Sequence, residues 1–287
     1  MIHVGYLSPN DCWDQNIVSL LTSNKLYPTG LEFKRSAGYP NVDGCILVVP
    51  GGSWAGHHDT ISEAIATYDW VLAFRVSDEC DLFDINRVQH PNLRWWVQTP
   101  RADKDYGDAR LFGCGFPPHF NKLPVNAPAK YLDLFLSAQR THSRRDQAFD
   151  ALEQFRINNM ILNPTEGFTQ GFAVSAYVDA MMRTKVAPAP SGVFSPDSFR
   201  LYEALEARAV PIADDVSPQY DSAGYWRMLF PDAPFPILTD YADLPAMVEA
   251  ALAEWPGNAD RIAAWWAQQK RQYALWLRED LEQLGAV

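Results

Sequence analysis

One stretch, residues 187–215, combines polar side chains with the start signals of a helix. Five of these side chains could hold a phosphorylated ligand: Ser195, Asp197, Ser198, Arg200 and Glu203. Ser195 and Pro196 suit the N-cap and first position of a helix, so we predict a helix from about Pro196. The free N–H groups at a helix start attract anions such as phosphate. The alternative is a surface helix in which Arg200 and Glu203 form only a weak ion pair.

Three arginines form a second group that could bind phosphate. Arg140, Arg144 and Arg145 follow a predicted strand at 131–138. Guanidinium groups match phosphate oxygens in geometry and offset the charge on a departing diphosphate. We therefore expect at least one of them to contact phosphate. The alternative is that Arg144 and Arg145 are solvated residues in the first turn of a helix.

Three residues in the first half of the chain could act as a general base. His57 and His58 follow a glycine-rich turn after a predicted strand, and Asp14 lies in the first loop. A histidine titrates near neutral pH, and a carboxylate can also accept a proton. The alternative is that these residues only cap helices or face solvent. Asp103 and Asp105 match an Asp-x-Asp metal motif, but their surroundings are typical of a turn, and we predict no metal.

The pattern of elements indicates an α/β protein with two Rossmann-like domains. Apolar strands alternate with helices in both halves, and a proline-rich connection lies at 114–130. We place the domains at 1–120 and 121–287, and we expect the long terminal helix at 260–284 to cross back to the first domain. In residues 187–215, prolines predict an irregular loop through Pro188 and Pro190, and a buried strand follows at 210–213. Ligands of such sheets bind at the carboxyl ends of the strands.

Composition excludes several classes of protein. The chain has 287 residues, of which 47% are hydrophobic and 21% charged, so it can bury a large core. Its net charge of −11 disfavours general binding to nucleic acid. The four cysteines lack metal or disulfide spacing, and we see no apolar leader or span. We therefore expect a cytoplasmic protein without a membrane span.

The stretch from Asp197 onward resembles the donor-binding segment of GT-B glycosyltransferases of the exostosin type. That pattern is Asp-(Ser/Thr)-x-Arg-x-(Trp/Tyr)-Glu-Ala-Leu, followed by Pro-(Val/Ile). The matching residues are Asp197, Ser198, Arg200, Tyr202, Glu203, Ala204, Leu205, Pro211 and Ile212. The resemblance implies a metal-independent transfer of sugar from a nucleotide sugar, UDP-linked, to a hydroxyl acceptor, with no further cofactor.

The same resemblance implies roles for the two domains and for Glu203. The first domain would bind the acceptor and the second the donor, with Glu203 accepting hydrogen bonds from the ribose. Many retaining relatives carry a further Glu where this chain has Ser195, so the stereochemical outcome is left open. Two other functions are also left open. One is transfer to hydroxymethylated bases of phage-type DNA, and the other is nucleotide binding without catalysis.

Overall fold

The structure is a computed structural model that describes residues 1–8, 12–124, 127–167, 170–219 and 223–287. The chain forms two compact units. The first unit comprises Met1–Cys114 and Gln268–Val287, and the second comprises Gly115–Ala267. Parts of two predicted loops, at 9–11 and 125–126, lie outside the described residues.

The first unit contains a parallel sheet of six strands. The strands are β1 (Ile2–Tyr6), β2 (Phe33–Ala37), β3 (Gly44–Pro50), β4 (Trp70–Val76), β5 (Leu93–Gln98) and β6 (Arg110–Phe112). Their order is β2-β1-β3-β4-β5-β6. The helices are α1 (Asn16–Leu21), α2 (Gly51–Trp54) and α3 (His58–Ile65). The central strands β3 and β4 are buried along most of their length because helices cover both faces of such a sheet.

The second unit contains a parallel sheet of five strands. The strands are β7 (Leu132–Gln139), β8 (Met160–Thr165), β9 (Thr184–Ala189), β10 (Val210–Asp214) and β11 (Ile237–Leu238). Their order is β11-β10-β9-β7-β8. The helices are α4 (Ser143–Glu153), α5 (Val174–Met182), α6 (Phe199–Glu206), α7 (Tyr225–Leu229) and α8 (Leu244–Ala253). The predicted α/β class with two parallel sheets is therefore confirmed.

Both sheets have the same strand order when their strands are counted from the start of each unit. In each, the second strand lies outside the first, and the third lies on the other side of the first. Successive strands are therefore added on one side of β1 and then on its other side, so the order of addition reverses between β1 and β3. The same reversal occurs between β7 and β9. Ligands of open α/β sheets bind outside the carboxyl ends of the strands at such a point.

The prediction of an irregular loop through Pro188 and Pro190 is partly wrong. Residues 184–189 form β9, and Pro188 pairs with Ile212 of β10. On its other side β9 pairs with β7 only at Thr184 and Val186. Pro188 lies beyond these pairs, where the strand can tolerate a residue without an N–H. Helix α6 begins at Phe199, three residues after the predicted start at Pro196, because the N-cap is Ser198 and not the predicted Ser195.

The predicted C-terminal helix is confirmed as α9 (Gly257–Gln283). Its residues up to Ala267 belong to the second unit, where Trp266 donates to Glu206 at 2.6 Å. From Gln268 onward they belong to the first unit, where the indole of Trp96 donates to Asp280 at 2.7 Å. Within the described parts of the chain, no helix is long and apolar enough to cross a bilayer.

Candidate functional site

The start of α6 is held by the hydroxyl and acidic residues that precede it. Ser198 Oγ accepts the N–H of Arg200 at 3.3 Å, and Ser195 Oγ accepts the N–H of Asp197 at 3.1 Å. The buried carboxylate of Asp197 accepts the hydroxyl of Tyr225 at 2.9 Å. These three predicted donor-site residues therefore shape the loop in front of α6.

Glu203 lies on α6 and is buried, with 5% of its surface exposed. Its carboxylate accepts a hydrogen bond from the hydroxyl of Tyr177 on α5. Burial raises the pKa of Glu203, while the nearby Arg200 and the Tyr177 bond act in the opposite direction. The expected ribose-binding residue is thus held rigidly rather than standing open to solvent. Sequence reasoning missed Tyr177, since helical spacing does not reveal which helix packs against α6.

Arg200 carries the most available positive charge among the predicted donor-site arginines. Its Nε donates to the carbonyl of Ser137 on β7 at 2.8 Å. Among the residues that the structure describes, the two terminal amino groups of Arg200 have no hydrogen-bond partner. The guanidinium is therefore anchored at one edge and able to bind an anion at the other.

Arg144 and Arg145 lie at the carboxyl edge of the second sheet, but both have partners there. Arg144 forms a two-bond ion pair with the buried Asp214 at the end of β10, with Nε to Oδ2 at 3.1 Å. Arg145 is buried and its Nε donates to the carbonyl of Ser191 at 3.0 Å. Asp214 also accepts the hydroxyl of Tyr241 at 2.9 Å. These contacts tie together the ends of neighbouring strands.

Two buried polar atoms at this edge lack partners among the described residues. They are Ser191 Oγ, after β9, and His142 Nδ1, after β7. The other ring nitrogen of His142 lies 3.2 Å from the carbonyl of Ser191. Buried polar groups are almost always hydrogen-bonded, so unsatisfied ones point to an unseen water or ligand. Both residues flank the point where the sheet reverses between β7 and β9, which is where a ligand is expected.

Arg140 is placed differently from Arg144 and Arg145. Its guanidinium pairs with carboxylates of α4, namely Asp146 at 3.5 Å, Asp150 at 3.1 Å and Glu153 at 2.7 Å. It also lies over the ring of Phe149. Its charge is offset by carboxylates of the helix that follows it, so this placement disfavours a phosphate contact for Arg140.

The first unit brings Asp14 to the carboxyl edge of its sheet. Its Oδ2 accepts the hydroxyl of Ser77 at 3.1 Å, and its backbone carbonyl accepts Gln98 Nε2 at 2.7 Å. Gln98 in turn accepts the N–H of Ser77 at 3.1 Å. Burial raises the pKa of Asp14 above the ordinary value of an aspartate. A carboxyl of this kind is suited to general base catalysis.

The backbone around Asp14 is strained. Ser77 follows β4 with a φ of 55°, and Thr99 follows β5 with a φ of 47°. Non-glycine residues rarely adopt this left-handed conformation, and such strain is concentrated at functional sites. Both amide atoms of the buried Gln15 also lack a partner among the described residues. The carboxyl edge of the first sheet is therefore a second candidate site.

The two histidines proposed as bases occupy different surroundings. His58 has 3% of its surface exposed, stacks on Phe83 with ring centroids 4.5 Å apart, and accepts the N–H of Asp84 at its Nε2, 3.2 Å away. Burial lowers the pKa of His58, so it is a neutral core residue. His57 is exposed beside the edge of Trp54. The geometry thus favours Asp14 over both histidines as the base.

Across the described ranges, no group of three or more histidine, cysteine or acidic side chains is arranged to hold a metal. Asp103 bonds to Arg101 Nε at 2.8 Å instead. Neither a protein-family model nor a curated protein matches this chain. Function is therefore inferred from the geometry of the two carboxyl edges and from the resemblance at residues 197–212.

Proposed function

We propose that the protein is a GT-B glycosyltransferase that moves a sugar from a nucleotide sugar, UDP-linked, to a hydroxyl acceptor without a metal. The observation that carries this proposal is the arrangement at α6. There the buried carboxylate of Glu203 interacts electrostatically with the anchored guanidinium of Arg200, beside the sheet that reverses between β7 and β9. A carboxylate and a guanidinium are the groups that bind a ribose and a phosphate, respectively.

The donor binds at the second unit. Glu203 accepts hydrogen bonds from the adjacent hydroxyls of the ribose. Arg200 donates its terminal amino groups to the diphosphate, and the start of α6 adds the positive end of a helix dipole. Because each contact recognises a part common to all ribonucleoside diphosphates, this set of residues leaves the choice of base and sugar to other contacts.

The diphosphate leaves with additional negative charge, which the second unit must stabilise. Arg200 supports this step most directly, because Asp214 offsets the charge of Arg144 and carboxylates of α4 offset that of Arg140. Arg145 contributes its charge from its buried position on Ser191. Preorganised cations of this kind stabilise a leaving group without a metal.

The acceptor hydroxyl is activated from the first unit. Asp14 takes the proton from the hydroxyl of an acceptor bound to the first unit, and the oxygen of that hydroxyl replaces the diphosphate on the sugar. Burial of Asp14 raises its pKa, which brings its basicity closer to that needed at neutral pH. Ser77 donates to the same carboxylate and orients it.

The experiment that tests the proposal is a thermal-shift screen of nucleoside diphosphates, followed by turnover assays with the corresponding nucleotide sugars. Ligand at about 100 times its Kd stabilises the native state by about 2.7 kcal/mol, which is a readily measured shift. We expect at least one diphosphate to raise the melting temperature, and its sugar conjugate to be consumed faster when acceptors are added. If no nucleoside diphosphate binds, the proposal is refuted. Donor binding without any turnover over a broad acceptor panel would instead favour a non-catalytic nucleotide-binding protein.

A further inference from the structure

Tyr177 on α5 is held by aromatic contacts within the second unit. Its ring meets the ring of Phe135 edge to face, with centroids 5.5 Å apart. It meets Phe120 at 6.3 Å and His119 at 6.5 Å in the same manner. Contacts of this kind favour one orientation of the ring. The hydroxyl of Tyr177 is therefore presented in a fixed direction.

That hydroxyl donates to Oε2 of Glu203. Burial, reinforced by the neighbouring Glu203 carboxylate, raises the pKa of Tyr177 well above its ordinary value. The protonated hydroxyl of Tyr177 thus acts as a donor to Glu203. The bond fixes the plane of the carboxylate, and Arg200, one turn earlier on α6, helps to keep it ionised.

A fixed carboxylate can distinguish two kinds of sugar ring. Its two oxygens offer about four acceptor sites, of which Tyr177 occupies one. A ribose supplies two adjacent hydroxyl donors, whereas a 2′-deoxyribose supplies one. A site that is built to bond a hydroxyl rejects the analogue that lacks it, because a buried polar group is then left unpaired.

We propose that Tyr177 is a positioning residue that holds the Glu203 carboxylate so that the donor site selects ribonucleotides over 2′-deoxyribonucleotides. This inference rests on the proposed nucleotide-sugar function. It adds a selectivity and a residue that the motif at 197–212 does not contain. Tyr177 acts only through Glu203, so its removal changes selectivity even though it makes no contact with the donor.

The test measures binding of UDP and 2′-deoxy-UDP by isothermal titration calorimetry to the full chain and to Tyr177→Phe. The wild-type protein should prefer UDP by roughly tenfold or more, the size of one hydrogen bond to a charged group. In Tyr177→Phe the preference should fall to about threefold or less, because the carboxylate is no longer fixed. Phenylalanine keeps the aromatic contacts. Tyr131→Phe is the matched control, since Tyr131 belongs to the same unit and is 54% exposed.

The outcomes separate this inference from the proposed function. If the wild type binds UDP and Tyr177→Phe keeps the full preference, Tyr177 does not position Glu203, although the donor site stands. If the wild type binds no nucleoside diphosphate, the proposed function fails first. Should Tyr177→Phe fold too poorly to titrate, Glu203→Gln serves as the second variant. The glutamine carbonyl oxygen can still accept a hydrogen bond from Tyr177, but the side chain has one acceptor oxygen where the carboxylate has two. If Glu203→Gln keeps the full preference for UDP over 2′-deoxy-UDP, the inference is overturned as well.

Discussion

Replacing Arg200 by glutamine tests whether its guanidinium binds the diphosphate. Nε of Arg200 bonds to Ser137 at 2.8 Å, which leaves the two terminal amino groups for a ligand. A hydrogen bond to a charged group is worth roughly 1.5–3 kcal/mol. The loss of one such bond weakens binding by roughly 10- to 100-fold, and the loss of two weakens it further but less than additively. The lost anchor to Ser137 is a single bond, so we expect it to cost about 1 kcal/mol of unfolding free energy.

The assay is calorimetric titration of UDP and of uridine against wild type, Arg200→Gln and Arg140→Gln. Arg140→Gln is the matched control because it makes the same change of charge in the same unit, where the guanidinium is already paired with carboxylates of α4. We expect Arg200→Gln alone to lose affinity for UDP, with uridine binding unchanged. Equal losses in both variants would show that net charge, not a contact, governs affinity. Full affinity in Arg200→Gln would remove Arg200 from the donor site.

Further predictions concern binding, stability and catalysis. Glu203→Ala should weaken UDP binding roughly tenfold or more and also lower the unfolding free energy by about 1–3 kcal/mol, because the hydroxyl of Tyr177 loses its charged partner. Urea unfolding and calorimetric titration check these two effects, and unchanged affinity refutes the ribose contact. Lys130→Met should lower the unfolding free energy, measured in urea, by about 2–4 kcal/mol, since the ammonium of Lys130 donates to three backbone carbonyls. A loss below about 1 kcal/mol would mean that the cost of burying the amine offsets these bonds. Asp14→Asn should reduce kcat by roughly 10²- to 10⁴-fold without changing UDP affinity. A base must be deprotonated, so wild-type activity should decline as the pH falls through the raised pKa of Asp14. If the residual activity of Asp14→Asn shows the same decline, another residue is the base. Turnover should persist in excess EDTA, whereas inhibition that manganese reverses would show that a metal takes part.

Several elements were predictable because the signals for them are local. The predicted bounds of β7, 131–138, and of β10, 210–213, agree with the structure to within a residue. The signal for a helix start is local too, but the residue that occupies the N-cap position is Ser198 and not the predicted Ser195. The missed strand β9 shows the limit of this reasoning. Its prolines argue against a strand locally, but its pairing with β10 outweighs that preference.

The sequence by itself determined the α/β class, the approximate positions of most elements and the chemical types of residue near the start of α6. Those features depend on side-chain periodicity and on capping, which act over a few neighbouring residues. Only the tertiary structure decided that Glu203 is held by Tyr177, that Arg140 pairs with carboxylates of α4 and that His58 lies in the core. It also set the order of strands that creates the reversal between β7 and β9. Partners such as Tyr177 and Glu203 lie on different helices, and their meeting depends on how those helices pack on a shared sheet, which periodicity along one segment does not encode.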